Sequence, residues 1–523
     1  MEVVVFGLPV LIAAWAATLL NWRTGVYLLI AFTPFTGFIV AAMFPSPLGT
    51  LARDILVVLP LYISFFLLSQ QARWGRVPQM LYPAYGLLVL VTLFAAANPA
   101  VPNLMVAGIG LKVWLFYIPM LLVGISFIRR EADLRNIMRA LVVAAWIPWT
   151  TGIVMYLGSA LYDYEATMKF FYGDYARHAT QQFASFHSYG AELFRIPGSF
   201  QFNSQYGVFC FLMLFPMFML LEIERSRAWR AFVWASMMMG LVAGFTSGAR
   251  GNFVFMPLIV VIVQFFKFRA RGAVQAIVGL GVALFAALSM AGIDGGKIYG
   301  EAAGLTARYG EDIAVMGIVD ALDRGGLFGL GVGANTGAAR HGHDAAMATL
   351  MHDKGLLIEN YYGKALVELG AVGFLVVLGC LGLSFLYCLQ MQLRLTLRPL
   401  KGVAACGTAM VVFTMLTSFK GWALDTDPMN YYYFLLLGVV YALPVVERQM
   451  LAAARQAPAA QAGRAPRPGP LSPVRPPLIG RPAVARAGTV TGTAGGFDGP
   501  AAGKGLDGAF ELGPRLRRPP GDG

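Results

Sequence analysis

The chain has 523 residues and a mean hydropathy of +0.64, with 58% hydrophobic and 13% charged residues. A soluble globular chain carries about 45–50% apolar and roughly 25% charged residues, so a water-soluble enzyme is excluded. The formal net charge of +13 does not mark a nucleic-acid binder, because residues 447–523 alone hold eleven Lys/Arg against five Asp/Glu and much of the remainder sits in short connectors.

From the N-terminus, apolar runs with few charges recur as far as residue 446, each about 17–25 residues long and able to cross roughly 30 Å of hydrocarbon. They predict spans at 3–20, 25–43, 54–70, 80–97, 104–127 and 137–158, then at 203–222, 231–246, 252–266 and 276–291, and finally at 371–389, 403–419 and 430–446. The expected fold class is all-α, a polytopic integral membrane protein with about 12–13 transmembrane helices. The first run contains Ala14-Trp15-Ala16, a small-x-small pattern like a secretory cleavage site. However, Met1-Glu2 supplies no positive n-region and further spans follow, so the run reads as a helix.

The connectors carry the orientation. Arg73/Arg76, Arg129/Arg130/Arg135, Arg225/Arg227/Arg230, Lys267/Arg269/Arg271 and Arg394/Arg398/Lys401 fall on alternate loops, which the positive-inside rule assigns to the cytoplasm. That alternation places the N-terminus outside, the C-terminus inside, and two long loops on the outer face, where loops of such length are usually functional. The chain divides into N-terminal helices (1–158), a first long loop (159–202), central helices (203–291), a second long loop (292–370), C-terminal helices (371–446) and a tail (447–523). Twelve of the 29 prolines fall in the last 73 residues, mixed with Ala, Gly and Arg, a composition that cannot bury enough apolar surface to offset its ordering entropy. The tail is expected to be a disordered cytoplasmic segment. Its arginines, among them Arg464, Arg467, Arg475, Arg515, Arg517 and Arg518, either stay solvated or touch anionic membrane lipids, at about 1 kcal/mol each near the surface.

Several chemistries fail on their residue requirements. An ion-coupled transporter needs ionisable groups near the midplane, yet no Asp or Glu falls in the middle of a predicted span. Glu222 and Asp54 lie at ends, and Lys112 and Arg139 are placed to snorkel. Cys210, Cys380, Cys388 and Cys406 all lie inside apolar runs, which points to packing rather than to a disulfide or a metal. Gly329-Leu330-Gly331-Val332-Gly333 lacks the preceding strand and the Lys-Ser/Thr pair of a nucleotide loop. His341-Gly-His343-Asp344 lacks the helical spacing or distant partner of a catalytic zinc centre. No cofactor and no metal are expected.

On the outer side there remain arginines beside helix ends: Arg195 in Arg195-Ile-Pro-Gly198-Ser-Phe200, Arg250 in Thr246-Ser-Gly-Ala-Arg250-Gly251, and Arg308 and Arg324 in the second long loop. A guanidinium fork binds phosphate oxygens in bidentate fashion and stays charged at any physiological pH, so several together suit a diphosphate. Each can instead pair with an acid such as Glu192, Glu311, Asp312 or Asp320. Arg250, in a short turn with no acidic neighbour in sequence, must find its partner elsewhere or in a ligand.

Four segments in order carry a resemblance: Arg195-x-x-Gly198 followed by Phe200 and Asn203; Ser247-Gly-Ala-Arg250-Gly251; Arg308 upstream of Gly329-x-Gly331-x-Gly333; and Glu359-Asn360, nine residues, Gly370-x-x-Gly373. Over roughly 195–375 the chain resembles the superfamily of lipopolysaccharide O-antigen ligases, O-antigen polymerases and related bacterial O-oligosaccharyltransferases. The ligase pattern begins with a histidine where this chain has Glu359. In ligases that histidine is implicated in activating the acceptor. Three alternatives stand in its place: Glu359 as the base, His352 seven residues upstream as the base, both side chains being able to accept a proton, or a polymerising subfamily with a different arrangement. Glu359 can instead form a salt bridge to Lys354 or Lys364.

What the resemblance implies is an inverting glycosyltransferase without nucleotide or metal, embedded in the bacterial inner membrane with its active face in the periplasm. The donor would be an undecaprenyl-diphosphate-linked glycan and the acceptor a hydroxyl of a glycan, lipid or protein, with polysaccharide assembly proteins as further partners. Arg195, Arg250 and Arg308 would bind the diphosphate. The replaced histidine favours an O-antigen or exopolysaccharide polymerase over an O-antigen ligase or a protein O-oligosaccharyltransferase. A polysaccharide or lipid transporter is the reading from a different class.

Overall fold

The computed structural model describes residues 12–43, 50–188, 191–249, 251–290, 317–335, 358, 360–421, 424–426 and 429–462. Its helices follow the apolar runs closely. Residues 12–20 (α1) are helical, and α2 starts at Trp22, where the Asn21 side chain accepts the Arg23 amide; it passes through a tight turn at Thr33–Phe35 into Thr36–Met43. Next come α3 (Asp54–Leu68), wound wide at Asp54–Val58 and Ile63–Leu68, and α4 (Leu81–Ala96). α5 (Leu104–Phe127) opens on Asn103, whose side chain accepts the Val106 amide at 2.9 Å. α6 (Glu131–Leu161) opens on Asp133, which accepts the amides of Arg129 and Arg130, satisfying donors that a helix start leaves open. After α7 (Tyr164–Tyr172) and a hairpin of β1 (Ser185–Ser188) and β2 (Ala191–Phe194) come α8 (Asn203–Ile223), α9 (Arg227–Thr246) and α10 (Asn252–Met290). The remaining described helices are α11 (Gly317–Gly325), α12 (Tyr361–Arg394), α13 (Arg398–Thr417) and α14 (Met429–Ala462).

Among the described residues nine helices are long and apolar enough to cross a membrane, which suits a multi-pass membrane protein. The difference from the expected thirteen has physical causes. α3 and α4 are apolar but short, and of the first expected span only 12–20 are described. The expected spans at 252–266 and 276–291 share α10, which breaks at Arg269 (φ 59°). The segment expected as a long first loop, 159–202, is folded, holding α7 and the hairpin. Within the second, 292–370, residues 292–316, 336–357 and 359 lie outside the described residues. The tail beyond residue 462, with the basic residues read from it, also lies outside them.

α8, α13 and α14 are buried along most of their length and form the centre, whereas α9 and α10 lie at the periphery. Phe211 packs edge-on against Phe255 and Phe413 between α8, α10 and α13. All four cysteines are free and buried, as packing residues should be.

The basic connectors gather at one end. Arg225 reaches Glu131 (3.2 Å), Arg23 reaches Asp133 (2.9 Å), Arg139 reaches Glu224 (2.6 Å) and Lys267 reaches Glu222 (2.5 Å). The 20-residue helix α9 separates Arg227 at this end from Thr246 at the other, about 30 Å away at 1.5 Å per residue.

Candidate functional site

At the end away from the basic connectors, the first two sequence motifs meet. The Ile196 amide donates to the Ser247 carbonyl (3.3 Å), and Gly248, with φ 70°, lies so close to the Phe194 carbonyl and the Arg195 backbone that a Cβ would collide with them. Both turns are fixed from behind. The Tyr164 hydroxyl donates to the Arg195 carbonyl (2.8 Å), and the Tyr172 hydroxyl bonds the carbonyls of Gly198 and Phe200 (2.7 Å each). The buried Asn252 amide donates to Gly207 O, Gly244 O and Ser247 Oγ (3.1–3.2 Å). Arg195 is half-buried and has no ion-pair partner among the described residues; its sequence neighbour Glu192 accepts the Ser185 hydroxyl instead (2.6 Å). Arg250 lies outside the described residues, but Ala249 and Gly251 on either side of it belong to this turn.

The third and fourth motifs also meet. Tyr361–Leu369 forms a buried helical segment that breaks at Gly370 (φ 71°), and the glycine-rich strap is laid across the break. Leu330 N donates to Val367 O (2.7 Å), Gly331 N to Glu368 O (3.1 Å) and Val332 N to Ala95 O (3.3 Å), while Ala371 N and Val372 N donate back to Gly326 O and Leu327 O. The strap amides are thus satisfied by carbonyls, which gives the glycines a packing role rather than a phosphate-cradling one. Asn360 caps the segment by accepting the Gly363 amide. Arg308, His352 and Glu359 lie outside the described residues, as do His341 and His343. Arg324, in α11, sits 3.9 Å from Asp320 one turn earlier, as an ordinary surface pair.

A network of buried charges accompanies these turns, of which the sequence marks Asp54 and Lys112 only as residues near span ends and does not single out Lys364, Glu368 or Asp425 as buried charges. Asp54, 5% exposed in its side chain, meets Lys112 (2.6 Å), Arg53 (3.1 Å) and the Tyr431 hydroxyl, and the Arg53 guanidinium sits 4.6 Å from the Tyr431 ring centre. Lys364 is fully buried, ion-paired to Asp425, and 5.6 Å from the Trp114 ring. Glu368, also fully buried, accepts Trp114 Nε1 (2.7 Å) and the Asn335 amide (2.9 Å). Burial pushes the Asp425 carboxyl above its ordinary range against the pull of Lys364 and Lys112, and Glu368 adds to the rise. Lys112 and Arg139, expected to snorkel, hold buried carboxylates instead, Asp54 and Glu224.

The loop after α13 joins the two motif pairs. Tyr361 N donates to Ser418 O (3.0 Å) and Gly421 O (3.1 Å), and Lys420 of the same loop reaches Gly251, its Nζ 5.1 Å from the Phe255 ring centre. No three His, Cys, Asp or Glu side chains among the described residues group as a metal site. Comparison with known families and with curated proteins finds no match.

Proposed function

We propose that the chain is a membrane glycosyltransferase of the polymerase type, moving glycan from an undecaprenyl-diphosphate-linked donor to an acceptor hydroxyl at the periplasmic face of the bacterial inner membrane. The observation that carries this reading is the contact of the Arg195 turn with the Ser247–Gly251 turn, two segments separated by α8 and α9 in sequence. It supports a cationic clamp: Arg195, with Arg250 and Arg308 as the further members expected from sequence, would bind the diphosphate. In the reaction the acceptor oxygen attacks the anomeric carbon, the bond from that carbon to the diphosphate oxygen breaks, and undecaprenyl diphosphate leaves with the electron pair and the extra negative charge. Cations already in place stabilise that charge without reorganising. The acceptor proton passes to Glu359 or His352.

The test is glycan assembly in cells. Arg195→Ala and Arg250→Ala, at normal expression, should each reduce polymer yield by about 100-fold, the scale expected when a group stabilising developing charge is removed. Unchanged chain length and yield would sink the clamp. Supplying a lipid or protein acceptor in place of glycan separates the polymerase from an O-antigen ligase or a protein O-oligosaccharyltransferase.

A second reading, a lipid-linked glycan transporter, draws on the buried Asp54, Lys112, Glu368 and Asp425, since ionisable groups inside a bundle often mark a translocation path. A deletion strain distinguishes them. A lost polymerase leaves single lipid-linked repeat units on the outer leaflet, and a lost transporter leaves them on the inner one.

A further inference from the structure

We infer that the glycine-rich strap, residues 326–334, is re-entrant in the leaflet opposite the basic connectors: Leu327 and Phe328 meet lipid chains at the hydrocarbon border, and the strap then passes beneath it. The inference holds whatever the chain transfers. Non-helical backbone persists at membrane depth only where protein surrounds it and satisfies its polar groups, since hydrocarbon offers no hydrogen bonds. The strap meets that condition. The amides of Gly326, Gly329, Leu330, Gly331, Val332 and Ala334 all donate to protein carbonyls, and the Gly329 carbonyl accepts the Asn98 side-chain amide (3.0 Å). Exposure also falls along it, from exposed at Gly326–Phe328 to buried at Gly331–Gly333.

Two spans give the levels. The Leu327 carbonyl accepts the Val372 amide (3.2 Å), and Val372 lies 22 residues before Arg394 of the basic end, about 33 Å away at 1.5 Å per residue. That is the border of roughly 30 Å of hydrocarbon. Farther on, a Cβ on Gly110 would collide with the Gly333 amide and with Val332, and Gly110 lies 17 residues before Phe127 at the basic end of α5, about 26 Å. The strap has descended by then. Leu327 (65% exposed) and Phe328 (59%) also continue the outward faces of two spans: the Phe328 ring meets that of Phe94 in α4 (6.0 Å), and the exposed Val372 and Leu375 follow in α12. Such a continuous apolar patch marks an interaction surface, and its continuity with the spans makes lipid the occupant. α11, just before the strap, has the matching character of a helix lying in the interface: Val319 and Leu322 are exposed on one side, and Asp320, Asp323 and Arg324 lie on another.

The experiment uses the full-length protein in vesicles of phosphatidylethanolamine and phosphatidylglycerol, with a nitroxide attached to one introduced cysteine at a time; the four native cysteines are buried and take up little label. Collisions with oxygen, which concentrates in hydrocarbon, are compared with those of a water-soluble nickel chelate. Leu375→Cys supplies the lipid-facing standard and Asp320→Cys the water-facing one. Labels at Leu327→Cys and Phe328→Cys should match Leu375→Cys, meeting oxygen more often than nickel. If Phe328→Cys fails to fold because the Phe94 contact is lost, Leu327→Cys decides. Labels that meet nickel as often as Asp320→Cys would place the strap in water and overturn the inference. Labels shielded from both reagents would overturn it too, since a second copy of the chain would then cover the patch in place of lipid.

Discussion

Glu224 shows how much a single residue decides at the basic end of the bundle. It follows α8 directly, and its side chain is 1% exposed. Arg139 donates to it from Nε (2.8 Å) and the second guanidinium nitrogen (2.6 Å), and the amides of Arg225 and Ser226 each donate at 2.9 Å. Burial alone would raise its carboxyl, but the Ser226 amide, Arg139 and the Arg225 amide together hold it below the ordinary 4.5. A carboxylate held low in the folded state binds its proton more readily when unfolded. Its contribution is therefore complete above the ordinary glutamate value and is lost as pH falls through the lowered one. Thermal midpoints in detergent should be flat from pH 7 to about 5 and then drop in acid. Glu224→Gln should lower the midpoint at neutral pH, by the equivalent of about 2 kcal/mol, and shrink the acid drop; an acid limb identical to the parent's would remove Glu224 from this role. Sequence alone placed Arg139 near the cytoplasmic side but could not supply its partner 85 positions away. The same holds for Asp54, whose partners Lys112 and Tyr431 come from α5 and α14. Lys364 and Glu368 were hidden for another reason: the unbroken apolar run begins only at 371, so the charged turns before it read as loop.

Elements were more legible than residues, because a span announces itself by length and apolarity whatever it packs against. What hydropathy cannot convey is where a helix breaks. Two breaks matter, at Arg269 in α10 and at Gly370 in α12. The second was written in the Gly370-x-x-Gly373 spacing, though its purpose appears only with the strap in place. At Gly370 the chain takes a left-handed φ of 71°, and a Cβ would meet the Leu327 carbonyl and the Gly329 amide, so an L side chain is excluded by conformation and by space alike. Gly379, farther along the same helix, has open space around it. Gly370→Ala should cost about 3 kcal/mol, the scale of backbone strain at such a site, and, on the proposed glycosyltransferase reading, abolish glycan assembly by displacing the Asn360 segment. Gly379→Ala should stabilise by about 0.5–1 kcal/mol, the helix-interior difference between the two residues. Midpoints measured side by side check both signs, and equal effects would mean that the strap does not depend on the break.

For the whole molecule, the net charge of +13 becomes informative once the charges are sorted by end. The expected cytoplasmic connectors meet one another through Arg225–Glu131, Lys267–Glu222 and the Glu447 carboxylate, which accepts the Thr396 and Leu397 amides. The Arg195, Gly251, Lys420 and Tyr361 contacts gather at the far end of α9. Loops far apart in sequence thus sort into two ends with the partition expected from the alternation of basic connectors. If the positive-inside rule then fixes which end faces the cytoplasm, single cysteines report it cleanly, because all four native cysteines are buried and offer little background to a thiol reagent. Tyr162, 88% exposed at the end of α6, belongs to the Arg195 end, and Trp74, 52% exposed, to the basic end. A membrane-impermeant maleimide should label Tyr162→Cys in intact spheroplasts and Trp74→Cys only after permeabilisation. The opposite pattern would put the clamp in the cytoplasm, where a periplasmic polymer could not be built on it, and would overturn the orientation and the polymerase reading together.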